Sequence, residues 1–122
     1  MAGVNFITHN GVKILYEDFS SLNNPEEVLA FIEQAKTIIH QQPEKSVLAL
    51  VNVKDSKFDN KVSSALKELA KSNLPYMKCA AVYGVEGLKE IIYRAIIGFT
   101  GRKNLVLFKD LEEAKDFLSK QK

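Results

Sequence analysis

The polar residues best placed to do chemistry come directly after a run, 46–53, that is apolar on both faces. Such a run is typical of a central strand covered by helices on both sides, and ligands of open α/β sheets bind beyond the carboxyl ends of strands. The segment 54–63 therefore holds a candidate interaction or regulatory site. Its members are Asp55, Ser56, Asp59, Asn60 and Ser63. The same residue types form turns and cap helices, and that structural role is the favoured interpretation.

Patterns for catalysis and metal binding are missing from the sequence. The histidines, His9 and His40, have no neighbouring cysteine or patterned carboxylate, so neither a metal site nor a catalytic triad finds its partners. The single cysteine, Cys79, lies in an apolar run, so we expect it to be a buried hydrophobe. We expect a protein that is not an enzyme and that uses no metal or cofactor. An enzyme would need a cleft in which His9, Asp55 or Asp59 converge.

Composition favours one domain, residues 1–122, with a core of its own. Hydrophobic residues make up 46% of the chain, and 17 basic and 15 acidic residues leave a net charge of +2. Because nucleic-acid binding needs a clustered basic surface, this balance argues against a nucleic-acid partner. No apolar run approaches the roughly 20 residues that span a bilayer, and the first residues lack the pattern of a signal peptide. We therefore expect a cytoplasmic protein without a transmembrane segment.

The elements that must position these residues alternate along the chain. Asn10-Gly11, a preferred hairpin turn, separates the predicted strands 4–9 and 12–17. The second strand has one apolar face and one polar face, and Lys13 and Glu17 lie on the polar face. The order predicted for the whole chain is β-β-α-β-α-β-α-β-α. It corresponds to an α/β fold with an N-terminal β-hairpin, βα units, and a mixed, mainly parallel sheet of about five strands with four helices.

The third predicted helix, 87–100, has apolar residues on more than one side. Its expected core stripe includes Leu88, Ile91 and Ile92, whereas Tyr93 and Ile97 fall on roughly the opposite side. Such extra apolar positions indicate either a deeply buried helix or a contact with something else. Tyr93 and Ile97 are thus either core residues, part of a dimer interface, or the wall of an apolar ligand pocket.

With this order of elements, the chain resembles the STAS superfamily, and within it the SpoIIAA-like group of small bacterial proteins. The resemblance covers nearly the whole chain and is strongest in three stretches. These are an apolar strand ending in glycine at 77–84, a short strand ending in phenylalanine at 106–110, and an amphipathic helix with a Glu-Ala pair at 112–118. The resemblance implies a STAS/SpoIIAA-like fold.

The resemblance also bears on function. Anti-sigma-factor antagonists of this superfamily switch partners when a serine at the start of the second helix is phosphorylated. The corresponding stretch here is 59–62, which has Asn60 and no serine or glycine at the key places, so the phosphoswitch is not carried over. The CRAL-TRIO lipid-binding fold is akin to this superfamily, which makes a lipid or other apolar small molecule a second kind of partner to consider.

Two hypotheses follow for function. The leading one is a non-enzymatic binding or regulatory module that acts through protein–protein contacts, as a homodimer and with a protein partner that the sequence does not identify. The alternative is a carrier or sensor of a small apolar ligand or lipid, with the third helix lining its pocket.

Overall fold

The computed structural model describes residues 3–22, 24–56, 59–87, 90–91, 93–94 and 104–121. The strands are β1 (Gly3–His9), β2 (Val12–Asp18), β3 (Val47–Asn52), β4 (Met77–Tyr83) and β5 (Leu105–Phe108). The complete helices are α1 (Pro25–Ile39), α2 (Asn60–Asn73), which continues into a short 3₁₀ turn at Leu74–Tyr76, and α3 (Leu111–Ser119).

Each complete helix begins at a polar residue that the sequence places there. The side chains of Asn24, Asp59 and Asp110 accept hydrogen bonds from the backbone N–H groups of Glu26, Val62 and Glu112. These contacts satisfy N–H groups that have no partner within the helix. In α1, Pro25 also occupies the first turn, where its missing N–H costs nothing.

The sheet has the order β1-β2-β3-β4-β5, with β1 and β2 antiparallel and the other neighbours parallel. The hairpin is confirmed: Asn10 and Gly11 both have positive φ angles, as a tight two-residue turn of this kind requires. Each parallel strand is added on the same side of the one before it. Right-handed crossovers therefore place α1 and α2 on the same face of the sheet.

The two faces of the sheet are covered by different helices. Residues of α1 and α2 pack with Leu15, Ala49, Val53 and Val82 on one face. The last helix, α3, packs with Ile14, Leu48, Leu50, Cys79 and Ala81 on the other. This arrangement confirms the expectation for 46–53 and for Cys79, because both faces of β3 and β4 are buried.

The described residues include three complete α-helices, one fewer than predicted. Most of the predicted helix 87–100 lies outside the described residues, as does Ile97, but Glu90, Ile91, Tyr93 and Arg94 have helical conformation. The expectation that Ile91 belongs to the core stripe is wrong, because Ile91 is 66% exposed. Tyr93 is buried, which agrees with the core and pocket alternatives for this residue. The sequence puts apolar residues on more than one side of the predicted helix. The spacing of those residues therefore could not determine which side faces the sheet.

No helix among the described residues combines the length and apolar character needed to cross a membrane. The cytoplasmic location stays a prediction.

Candidate functional site

A cavity lies between the sheet, helix α2 and Tyr93; we call it the sheet cavity. Its floor consists of Ala49 and Val51 of β3 and Ala80 and Val82 of β4. Met77 and Leu105 continue the floor at the sides, and Phe19 lies beyond the end of β2. The cavity is therefore built from the strands that form the centre of the core.

The space exists because two small residues lie side by side in the middle of the sheet. Ala49 is paired with Ala80, and this pair is flanked in its row across the sheet by Leu15 on β2 and Leu105 on β5. The next row, Glu17, Val51 and Val82, is bulkier. Side chains in register on parallel strands point to the same face, so the alanine pair leaves a depression beneath α2.

Helix α2 forms the opposite wall. Leu66, Leu69, Ala70 and Asn73 line the cavity, and their spacing of three and four residues places them on one face of the helix. Ala70 is a third small side chain facing the cavity, so the helix does not fill the depression above the Ala49–Ala80 pair.

Glu17 brings a carboxyl group into this apolar site. It is 3% exposed and lines the cavity from β2, so the expectation that it lies on a polar, solvent-facing side of the strand is wrong. The reason is that β2 lies between β1 and β3 and has both faces covered. Leu15 and Phe19, two residues before and after Glu17 in the sequence and both fully buried, were the signal that could have revealed this.

Tyr93 reaches the same cavity from the third helical segment. It is 4% exposed and belongs to the core cluster shared by α1, α2 and the sheet. Burial raises the pKa of its hydroxyl well above the usual range, and the negative charge of Glu17 raises the pKa further. The carboxyl and the phenol thus line the same cavity.

The other end of the cavity is bounded by Asn73, the last residue of α2. Its side chain is buried, and its Oδ1 lies 3.1 Å from His40 Nε2, just after the end of α1. The His40 ring stacks on Tyr76 with a centroid distance of 4.7 Å. The amide of Asn73 is thus held in place by a histidine at the protein surface.

The cavity is small. The space open to the centre of a water-sized sphere is about 50 Å³, and a buried water needs roughly 10–15 Å³ of such space. A few waters or a ligand fragment of similar size fit without rearrangement, and a longer ligand requires the wall formed by Tyr93 or α2 to move outward.

The predicted loop site falls at the corner between β3 and α2, and none of its described residues lines this cavity. Asp55 is exposed, with a left-handed φ of 58°. Ser56 is buried, and its hydroxyl donates a 2.7 Å hydrogen bond to the carbonyl of Val53. The carboxylate of Asp59 accepts from the N–H of Val62 at 2.8 Å. These three residues have the turn and cap roles that the sequence favoured.

The remaining loop candidates lie in the first turns of α2. Asn60 is exposed, and Ser63 is half-buried with its N–H donating to the Asp59 carbonyl. Ser64 is the exposed serine of this corner. A kinase could reach Ser64 directly, whereas Ser56 would first have to leave its turn. A regulatory role for this corner stays a prediction.

The residues of the enzymatic alternative are not brought together. His9 pairs with Val12 at the amino end of β2, and its ring contacts Asp116 of α3 at 2.7 Å. Asp55 and Asp59 follow the carboxyl end of β3, which is parallel to β2. His9 therefore lies at the amino ends of the parallel strands, and the two aspartates lie at their carboxyl ends.

A second depression lies at the carboxyl ends of β3, β4 and β5. It has a volume of about 180 Å³ and is lined by Lys54, the segment 83–86, Phe108 and Lys109. Lys54 pairs with Glu86 at 3.3 Å, and this hydrogen bond and charge raise the Lys54 pKa. Both partners are exposed, and the strand order contains no reversal that would open a crevice here. The sheet cavity is therefore the stronger candidate site.

The sheet cavity has the chemistry of a binding site. A carboxyl, a phenol and an amide face an otherwise apolar space, and its described lining contains no serine, threonine, cysteine, lysine or histidine that could act as a nucleophile. Within the described part of the chain there is also no group of three or more metal-ligating side chains.

Comparison with known proteins identifies the fold. No family model matches this chain, and no curated protein matches it. Among solved structures, an uncharacterised protein of the DUF3478 family from Shewanella loihica PV-4, which has a SpoIIAA-like fold, superimposes with a TM-score of 0.72. The match covers 97% of this chain and 95% of that one at 16% sequence identity. At this identity, the similarity establishes the fold alone.

Proposed function

We propose that this chain, which has the SpoIIAA-like fold of the STAS superfamily, is a non-enzymatic binding module that carries or senses a small, largely apolar ligand in the sheet cavity. One observation carries the proposal: the Ala49–Ala80 pair leaves an apolar space, and two buried polar side chains, Glu17 and Tyr93, face it. Apolar pockets with a few convergent polar groups are the usual form of small-molecule sites.

Stability alone does not account for this combination. A buried carboxyl costs free energy that its hydrogen bonds must offset, and replacing buried ionic groups with well-packed hydrophobic residues is often neutral or stabilising. A leucine at position 17 and valines at positions 49 and 80 would build a more conventional core. Retention of a carboxyl beside a cavity is consistent with a site that recognises a ligand.

The proposal is tested by thermal unfolding with linear alcohols, amines and carboxylic acids of two to eight carbons. A ligand that binds only the folded protein raises Tm with its concentration. We expect at least one of these compounds to raise Tm in the wild type and in Ala81→Val, which changes the opposite face of β4. The same compound should have little effect on Ala80→Val, whose methyl groups enter the cavity. Absence of any rise in the wild type, or an equal rise in Ala80→Val, would overturn the proposal.

A second candidate function is the leading hypothesis from the sequence, a module that acts through protein–protein contacts, and homodimerisation is the part of it that we propose here. It is favoured by Ile91, which at 66% exposure is the most exposed large hydrophobic residue that the structure describes. Ile91 lies two residues from Tyr93, which lines the sheet cavity, so a contact at Ile91 would adjoin that site. The proposed occupant of this surface is a second copy of the chain.

Sedimentation equilibrium distinguishes this candidate. If it is correct, the wild type is a dimer that Ile91→Glu converts to a monomer, whereas the control Leu74→Glu, at a less exposed apolar position, leaves the dimer intact. A wild type that stays monomeric at millimolar concentration would refute it.

A further inference from the structure

The amide of Asn73 lies at the end of the sheet cavity opposite Glu17. Asn73 is the last residue of α2, and only the 3₁₀ turn separates it from Met77, where β4 begins. Glu17 lies instead in the row of Val51 and Val82, near the carboxyl ends of the strands. Because Asn73 and Met77 both line the cavity, the amide belongs to the part of the cavity at the amino end of β4.

The orientation of this amide is set by His40. Asn73 Oδ1 lies 3.1 Å from His40 Nε2, and since a carbonyl oxygen only accepts hydrogen bonds, the imidazole donates from Nε2. Among the described residues, His40 is the one hydrogen-bond partner of the Asn73 side chain, which makes no cap contact with the 3₁₀ turn that follows it. The oxygen of the amide is thus directed to His40, an exposed residue, and Nδ2 with its two N–H donors is the polar group left for the cavity.

A donor in this position needs an acceptor. Asn73 is 4% exposed, and a buried N–H group that meets no acceptor destabilises the protein. The cavity that Asn73 lines is a space in which such an acceptor fits. An oxygen atom of a ligand would meet this requirement directly.

We infer, on the basis of the proposed function, that the ligand of the sheet cavity carries an oxygen acceptor, such as a carbonyl oxygen, that receives a hydrogen bond from Asn73 Nδ2. His40 is then the positioning residue that turns this donor toward the cavity. Ketones, esters, amides, carboxylates and alcohols share the required acceptor. A protonated amine has donors and no acceptor, so it does not match this end of the cavity.

The apolar part of such a ligand has a place to lie. Ala70 precedes Asn73 by three residues, which is about 4.5 Å along the axis of α2, and it also lines the cavity. A chain attached to the acceptor therefore passes Ala70 and enters the space that the Ala49–Ala80 pair leaves in the sheet. The site thus takes a polar head at Asn73 and a short apolar tail over the alanines.

The test compares three compounds of equal size at neutral pH by NMR titration: butan-2-one, which only accepts hydrogen bonds, n-butylamine, which is protonated and only donates, and pentane, which does neither. The variant Asn73→Asp keeps an oxygen for His40 and replaces the N–H donors with a second oxygen. We expect it to weaken butan-2-one about tenfold and to strengthen n-butylamine. Binding of pentane should change less than about threefold, because pentane makes no hydrogen bond.

The positioning role of His40 is tested with a pair of variants. His40→Phe keeps an aromatic ring for the stack on Tyr76 but removes the donor to Asn73, whereas His40→Gln keeps a side-chain N–H that can donate. We expect His40→Phe to weaken butan-2-one by about threefold or more relative to pentane, and His40→Gln to restore most of that loss. A purely structural role of His40 would affect both compounds alike.

Several outcomes would overturn the inference while leaving the proposed function intact. They are an unchanged affinity for butan-2-one in Asn73→Asp, and a loss of butan-2-one that pentane shares. Unchanged binding of butan-2-one in His40→Phe would show that His40 does not position the amide. Failure of all three compounds to bind the wild type, together with the alcohols, amines and acids above, contradicts the proposed function itself. If Asn73→Asp does not fold, the two variants of the exposed His40 decide the question.

Discussion

Glu17 and Tyr93 place a carboxyl and a phenol within the same apolar core, and this proximity has a measurable effect on the phenol. Burial and the negative charge of Glu17 both raise the pKa of Tyr93. The usual tyrosine pKa is about 10. Above that pH, the unfolded chain loses the proton of Tyr93 first, so the unfolded state binds fewer protons than the native state.

The folded protein should therefore lose stability as the pH rises above about 10. The contribution of Tyr93 is fully present below that value and declines by up to about 1.4 kcal/mol per pH unit above it. In Tyr93→Phe this contribution to the slope is absent. Urea unfolding of both proteins between about pH 9 and 11.5 measures the difference. Parallel pH dependences would show that Tyr93 titrates as an exposed tyrosine does.

Gly84 is a second position at which one residue determines local structure. It has a φ of +91°, and an added Cβ would lie 2.5 Å from the backbone nitrogen of Lys54. Only glycine lets the end of β4 approach the end of β3 so closely. We expect Gly84→Ala to lose about 3 kcal/mol or more, from backbone strain together with the clash.

Gly11→Ala is the matched control for this substitution. Gly11 also has a positive φ, +77°, but has no neighbouring atom within 4 Å of an added Cβ. Its replacement should therefore cost only the strain, about 1–2 kcal/mol. Equal losses for the two variants by urea unfolding would show that the contact with Lys54 does not restrict Gly84.

Strand β4 has one face that borders the sheet cavity and one face that is fully packed, so it allows the two to be compared. Ala80 lines the sheet cavity, whereas Ala81 is fully buried against α3. Ala80→Val adds two methyl groups to empty space and should stabilise the protein by up to about 1.5 kcal/mol. Ala81→Val overpacks a filled face and should cost about 1–3 kcal/mol. Destabilisation by Ala80→Val as large as that by Ala81→Val would contradict the presence of usable space above Ala80.

Helix α2 depends on Asp59 for its start. Removing the carboxylate that accepts from the Val62 N–H should cost about 1 kcal/mol in Asp59→Ala, and Asp59→Asn should restore most of that loss because asparagine caps as well. Equilibrium unfolding in urea of the two variants checks this. If both lose the same stability, the charge of Asp59 and not its hydrogen bond supports the helix.

Some elements could be predicted from the sequence because local signals determine them, whereas others depend on packing. The hairpin, α1, β3 and α3 follow from local signals: Asn10-Gly11, the Asn24-Pro25 start, a doubly apolar run and a regular amphipathic stripe. The orientation of the third helical segment does not, because apolar residues on several sides leave the choice between Ile91 and Tyr93 to packing against the sheet.

At the scale of the whole molecule, the site depends on register and layer order, which no single segment encodes. The Ala49–Ala80 pair forms only because β3 and β4 align as they do. Glu17 is buried only because β1 and β3 flank β2 and helices cover that face. The sequence predicted the α/β architecture and named Tyr93 as a candidate pocket residue. Of its loop candidates, Ser56 has the favoured turn role and Asp59 the favoured cap role, and a regulatory role for that loop stays a prediction.

The most direct test of the ligand site is a titration of protein labelled at its alanine methyl groups with butan-2-one, followed by methyl chemical shifts in NMR spectra. Ala49, Ala70 and Ala80 line the sheet cavity, whereas Ala81 and Ala114 belong to the opposite face. We predict saturable shifts of the first three methyl signals, with the last two nearly unchanged. Shifts that are strongest at Ala81 or Ala114, or no saturable shift at any of the five, would contradict a ligand site between the sheet and α2.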